Sequence, residues 1–218
     1  MKKLILAVFL SVGFTAVHAQ EAPKLYTLPS PFERYTHYLA TARFTGALPL
    51  GSFSNSYIDK SSFKNYSISL EWVFQNNVSV GGEIGSSYFQ KRLPRALYQG
   101  DDETISAVQT RTLTQHPLQV FANYHFLGKS SSIQPYVQIS AGVSFIDYTV
   151  YYGSLAQQQQ KVAPAYGVGI GSKFLFKKDG SFGLDVRAKY EGTSFKYDYI
   201  EKGTSSLNGS VGIFYRWW

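Results

Sequence analysis

From Tyr38 to the last residue, apolar and polar side chains alternate with a period of two, which is the pattern of half-buried strands. The stretch Ser181–Glu191 is the clearest case. Leu184, Val186, Ala188 and Tyr190 share one parity, and Asp185, Arg187, Lys189 and Glu191 share the other. Helical periodicity is nowhere convincing. The pattern predicts eight strands, approximately Tyr38–Leu48, Asn65–Gln75, Val78–Phe89, Arg111–Phe126, Gln134–Tyr148, Val162–Phe176, Ser181–Glu191 and Leu207–Trp218. Most exceed the usual length of about 5–6 residues. They suit tilted strands that cross a bilayer, which need about 9–11.

The connections alternate in length. Asn76-Asn77, Gly128–Ile133 and Lys177–Gly180 are short and turn-like, whereas Pro49–Lys64, Gln90–Thr110, Thr149–Lys161 and Gly192–Ser206 are longer and polar. Short turns on one side and long loops on the other are the asymmetry of transmembrane barrels. The Gln157–Gln160 run reads as part of a solvated loop.

Position along each strand separates the faces further. One face, from Tyr38 to Trp217, carries no charge. The opposite face holds Arg43, Glu71, Glu83, Lys173, Asp185, Arg187, Lys189, Glu191 and Arg216, with Asn123, His125 and Gln138. If odd strands rise and even strands descend, Trp72, Phe74, Tyr124, Phe126, Phe174, Tyr215 and Trp217 fall at one rim, joined by Tyr38 and Phe182. Phe44, Tyr66, Tyr88, Phe145, Tyr166 and Tyr190 fall at the other. Two aromatic girdles around an apolar band mark a membrane-spanning barrel. A soluble barrel reverses this arrangement, and an apolar face of this size is too large to stand in water. The charged face therefore points into a narrow lumen. Five cations oppose four anions there, and buried charges need partners. They are expected to interlock across the barrel and close it to ions, with Asp185 and Glu191 facing arginines or lysines of other strands.

Composition agrees with this picture. Of 218 residues, 16% are charged and 17% aromatic, against about 25% charged in ordinary globular chains. Zero cysteines exclude disulfides, thiolate metal sites and a lipid-bearing Cys. "MKKLILAVFLSVGFTAVHAQ" has Lys2 and Lys3, an apolar run and small residues at Val17 and Ala19. That pattern predicts a signal peptide over residues 1–19, whose removal lowers the net charge from +7 to +5. Residues 20–36, with Pro23, Pro29 and Pro31, form a periplasmic segment that is either flexible or packed across the near mouth. The barrel occupies 37–218.

Reactive chemistry is sparse. His37, His116 and His125 lack metal-ligand spacing, and His125 reads as a hydrogen-bonded lumen residue. The Gly-x-Gly of "GVGIGSKF" lies within a strand rather than before a helix. There is no nucleophile elbow. No catalytic residue, metal, cofactor or nucleic-acid partner is expected.

The chain ends "GSVGIFYRWW". Ser210, Gly212, Tyr215 and Trp217 resemble the C-terminal insertion signal of bacterial outer-membrane proteins, with Trp218 one residue beyond its usual end. "FTGALPLGSFSN", "QPYVQISAGVSF" and "PAYGVGIGSKF" are similar to segments of the small OmpA/OmpX/OmpW-like barrels. The resemblance implies an all-β fold, an eight-stranded antiparallel up-and-down transmembrane β-barrel, in the outer membrane of a Gram-negative bacterium. It implies contact with membrane lipid and lipopolysaccharide, and with the barrel-assembly machinery during insertion. Members of the group include adhesion-related, structural, channel and lipid-modifying proteins, so the fold leaves function open. The reading is a plugged barrel with a structural or surface-interaction role. The alternatives are a porin-like channel for small solutes or lipophilic compounds, and a lipid A-modifying enzyme.

Overall fold

The computed structural model describes residues 31–99, 104–127, 131–177 and 180–218. The predicted signal peptide and the first part of the predicted periplasmic segment lie outside them. Eight strands follow a one-turn helix α1 (Pro31–Arg34): β1 (His37–Leu50), β2 (Ser62–Val73), β3 (Val78–Gln99), β4 (Thr104–His125), β5 (Ile133–Tyr152), β6 (Leu155–Leu175), β7 (Phe182–Thr193) and β8 (Thr204–Trp217). A short helix α2 (Gly51–Ser56) follows β1. Each strand pairs antiparallel with the next, and β8 pairs with β1, so the ring is closed. No described helix is long and apolar enough to cross a membrane.

Closure depends on the ends of the barrel domain. Tyr38 pairs with Trp217 and Arg43 with Gly212. A Cβ at Gly212 would lie 2.3 Å from the Ala42 carbonyl oxygen and 2.7 Å from Arg43 Cγ. Glycine there lets the Arg43 side chain leave the seam and reach into the lumen. At the β2–β3 turn Asn77 takes φ 60°, the left-handed region that Asn tolerates better than most residues.

The wall is inverted relative to a soluble barrel. Leu70, Val120, Ile139, Ile170 and Ile213 are exposed on the outside, while Glu71, Lys173 and Asp185 are buried inside. The interior is not polar throughout, however. Leu39, Val73, Leu175 and Phe214 form an apolar cluster at its lower end.

Two predicted loops are corrected. Gln90–Thr110 and Thr149–Lys161 are mostly strand: β3 and β4 stay paired from Val78↔Tyr124 up to Gln99↔Thr104, and β5 and β6 up to Tyr152↔Leu155. The Gln157–Gln160 run belongs to β6. Above the bilayer neither face of a strand must be apolar, so hydropathy stops alternating while backbone pairing continues. The β1–β2 and β7–β8 connections are the ones that leave the sheet.

Candidate functional site: the lumen

The inner mouth is narrow. Phe32 of α1 is buried, with its ring 5.3 Å from that of His37 and 4.9 Å from that of Trp218. The Arg216 guanidinium lies 3.8 Å from the Phe32 ring centre, and its Nε donates to the Gly180 carbonyl at 2.7 Å. Arg216, predicted as part of the lumen charge network, is thus held at the mouth by an aromatic face and a turn. Behind it, a space of about 10 Å³ is lined by His37, His125, Lys173 and Phe214. That is the size of a single water.

Above this lies a layer of ion pairs drawn from five strands. Glu71 on β2 receives Lys173 of β6 at 2.6 Å and Asn123 of β4 at 3.0 Å, with His125 Nε2 at 3.4 Å. Ser79 Oγ stands 3.1 Å from the same His125 nitrogen. Asp185 on β7 takes Arg43 Nε on one oxygen and the Tyr136 hydroxyl, at 2.9 Å, on the other. Glu83 on β3 is shared by Arg43 at 3.3 Å, Arg187 and Lys189 at 3.1 Å. Gln138 and Gln119 accept further bonds from Arg187 and Lys189, at 2.9 and 2.7 Å. Arg43–Glu83 and Lys173–Glu71 span the lumen between strands that are not neighbours in the ring.

Glu191 departs from expectation. Its carboxylate takes amide donors from Gln119 at 2.9 Å and Asn208 at 3.0 Å, not an arginine or lysine. It is only half-buried, at the top of the ion-pair layer, and a carboxylate with some access to water does not demand a cation. Of the nine predicted charges, Arg43, Glu71, Glu83, Lys173, Asp185, Arg187 and Lys189 are brought together in ion pairs; Glu191 adjoins them and Arg216 lies below. Hydroxyls and amides follow higher up. Gln115 of β4 reaches across to Thr204 of β8 at 2.7 Å.

The outer mouth holds an aromatic cap that sequence reasoning missed. Phe53, Tyr57 and Ile58 from the β1–β2 connection and Phe195 and Ile200 from the β7–β8 connection pack on Phe89, Leu113, Ile146, Tyr148 and Val150. Tyr57 and Tyr148 stack at 4.8 Å. The Tyr57 hydroxyl is within bonding reach of the carbonyls of Thr112 (2.9 Å) and Thr149 (3.2 Å). Arg111 donates to the Ser56 carbonyl at 2.9 Å and lies 4.1 Å from the Tyr199 ring centre. Tyr148 donates to Asp198 at 2.8 Å. Burial pushes the Tyr57 phenol well above the ordinary tyrosine range. The signal in the sequence was the aromatic content of two connections read as polar, which carry Phe53 and Tyr57 in one and Phe195, Tyr197 and Tyr199 at alternate positions in the other.

Outside, the inner-rim girdle is continuous: Phe74, Trp72, Tyr38, Trp217, Tyr215 and Phe182 follow one another with ring centres 4.9–5.9 Å apart. Tyr124 and Phe126 are 5.5 Å apart, and Phe174 is partly exposed on the same rim. Of the terminal residues, Ser210 Oγ bonds the Arg187 carbonyl at 3.3 Å, Gly212 sits in the seam, and Tyr215 and Trp217 stack in the girdle. Among the described residues no cluster of three His, Asp or Glu is placed to hold a metal ion.

This geometry has known counterparts. Neisserial surface protein A superposes with a TM-score of 0.51 at 16% identity, over 83% of this chain and 96% of that protein. A major outer membrane protein from Thermus thermophilus gives 0.49 at 12% identity over 84% and 100%. Ail, the attachment invasion locus protein of Yersinia pestis, gives 0.48 at 13% over 84% and 97%. No protein-family model and no curated protein matches the sequence. The inverted wall, the girdles and the closed ring define a small transmembrane β-barrel protein. Its fold is the eight-stranded up-and-down fold of the outer-membrane barrels.

Proposed function

We infer that the mature chain, after loss of residues 1–19, sits in the outer membrane of a Gram-negative bacterium as a plugged barrel with a structural or surface-interaction role. Residues 31–36 lie on the periplasmic side, and the cap faces outward. Ser210, Gly212, Tyr215 and Trp217 form the segment read by the assembly machinery, and lipopolysaccharide contacts the outer half of the wall. The observation that carries the plug is the ion-pair layer, four cations against four carboxylates when Glu191 is counted, crossing the lumen from non-neighbouring strands. A selective pore needs a wet path and a ring of one dominant sign, and this layer carries no net sign. The surface role draws support from β3–β6, which continue above the outer girdle as a four-stranded sheet. The side chains that meet in the lumen serve one another as hydrogen-bond partners, and the barrel is read as non-enzymatic.

Conductance in a planar bilayer tests this. The unmodified protein is expected to pass no steady current. A large, ion-selective current would overturn the plug in favour of a small-solute channel.

A further inference from the structure

Above the outer girdle two strand edges stand open, and they are built differently. The β2–β3 ladder ends at Tyr66↔Ser86 and the β6–β7 ladder at Ala165↔Thr193. Beyond these points β3 and β6 are the margins of the four-stranded sheet. The β3 margin is blunted. Asn65 Oδ1 accepts from the Tyr88 N–H at 2.9 Å, Lys91 pairs with Asp59 at 3.0 Å, and a bulge between Arg92 and Arg95 carries Pro94. Charges, proline and bulges are the devices that keep other chains off an edge.

The β6 margin has a single charge, Lys161, and no proline from Leu155 to Ala163. Its register with β5 runs unbroken from Ile133↔Phe174 to Tyr152↔Leu155. Residues 155–162 are exposed, save the half-buried Gln159. Backbone N–H and C=O groups of successive strand residues point to alternate sides. The Ser194 N–H donates to the Pro164 carbonyl at 3.1 Å, on the β7 side. By that alternation Ala156, Gln158, Gln160 and Val162 aim their backbone groups into the open edge. Their side chains do not compete for those groups, because Gln158 and Gln160 donate to Asp147 at 2.9 and 3.2 Å. The Gln159 amide donates to the Gln160 carbonyl at 3.0 Å, an exposed contact that a partner strand can displace.

We propose that β6 between Ala156 and Val162 is a strand-addition site, which takes an extended, amide- and hydroxyl-rich segment of another protein antiparallel along its edge. The inference rests on the surface-interaction role proposed above and gives it a place and a ligand class. Both faces of the edge carry amides, Gln158 and Gln160 on one and Gln157 and Gln159 on the other. An apolar segment finds little to pack on there, whereas glutamine and asparagine side chains extend the row as amide ladders. Lys161 favours a carboxylate on the residue across from it.

The test adds a capped heptapeptide of alternating threonine and glutamine, with a central glutamate, to the folded barrel in detergent micelles. At saturating peptide, amide hydrogen exchange should slow about tenfold at Gln158, Gln160 and Val162. It should stay unchanged at Gln157, Gln159 and Lys161, whose N–H groups already face β5. Gln160→Pro removes one edge donor without touching the β5 ladder, and should weaken the peptide about tenfold. Gln90→Pro, on the β3 margin, should leave binding as it was, and Lys161→Glu should shift the preference to a peptide with a central lysine. Gel mobility before and after boiling shows that each variant is folded. Exchange slowed at odd and even positions alike, or at none, would overturn the proposal. So would equal binding of the same peptide N-methylated at every residue, a comparison that needs no variant. A silent barrel without this protection overturns the edge site alone, and a conducting barrel that shows it overturns the plug alone.

Discussion

Two layers of side chains cross the lumen, and they are built from different chemistry. Across its middle, Arg43, Glu83, Asp185, Arg187 and Lys189 interlock as ion pairs carried on strands. At the outer mouth, Phe53, Tyr57, Phe195 and Ile200 come from two connections and close by packing. The middle layer stands on backbone fixed by ladder bonds on both sides, so each charged side chain has a defined place. The cap stands on backbone that has left the sheet, and its position is held by side-chain anchors such as Tyr57 and Arg111. Charges need defined places because an unpartnered buried charge is costly. Aromatic rings tolerate looser placement because apolar burial is non-directional.

The largest effect should come from removing the anion that three cations share. Glu83→Ala leaves Arg187 and Lys189 with amide partners only, and Arg43 with Asp185 and the Ser69 hydroxyl. Breaking a buried pair in this way costs about 3–5 kcal/mol. Urea titration of the barrel in detergent micelles measures it. The loss should depend little on salt, because buried pairs are screened far less than surface ones. A loss below about 1 kcal/mol, the range of solvated pairs, would mean that water fills the layer and that the two closures differ less than their geometry suggests.

Phe195→Ala tests the other closure. Phe195 is fully buried in the cap, and deleting a buried phenylalanine ring costs about 3–5 kcal/mol where the surroundings cannot relax. The cap stands on loops and can partly collapse, so the expected cost is about 2–3 kcal/mol on the same scale. Conductance sharpens the comparison. Phe195→Ala alone should stay silent, since the ion-pair layer remains. Combined with Glu83→Ala it should give intermittent current. Steady current from Phe195→Ala alone would make the cap the true seal.

The two closures also differ in how far the sequence disclosed them. The Ser181–Glu191 strand could be phased from its own residues, and that phasing placed Asp185, Arg187 and Lys189 in the lumen where the structure has them. Strand periodicity cannot name partners, because partners depend on register between strands far apart in sequence. Arg43 and Asp185 are 142 residues apart. Amide groups were undervalued for the same reason, which is why Glu191 was assigned a cation and has Gln119 and Asn208 instead. The cap was illegible because it stands on connections outside the sheet: Phe195, Tyr197 and Tyr199 alternate as in a strand, yet only an isolated Tyr197↔Ile200 bridge forms there. The upper halves of β3–β6 were read as loops because alternation of hydropathy reports a bilayer on one side of the strand, and there is none above the girdle.

A smaller effect is expected from Tyr57→Phe. It keeps the stacking on Tyr148 but removes the hydroxyl that reaches the Thr112 and Thr149 carbonyls. One hydrogen bond lost, with its acceptor left in a buried place, costs about 1–2 kcal/mol. Proteolysis of the β1–β2 connection should report it more sensitively than global unfolding does, since the cap can open while the barrel holds. Unchanged protection would assign the anchoring of that connection to Arg111.

The mildest perturbation is alkaline pH, and it separates the closures without a mutation. Burial raises the Tyr57 phenol above its unfolded value. A raised phenol stabilises the closed cap fully below the unfolded tyrosine pKa of about 10. That contribution is lost as pH climbs from there toward the folded value. Ultraviolet absorbance should therefore show the exposed tyrosines ionising first and Tyr57 late, with cleavage of the β1–β2 connection rising alongside the late phase. Arginine keeps its charge throughout this range, and the Arg43–Asp185 pair should hold the barrel folded while the cap loosens. Simultaneous loss of cap and barrel would show that the outer closure is no separate unit but the top of a single cooperative structure.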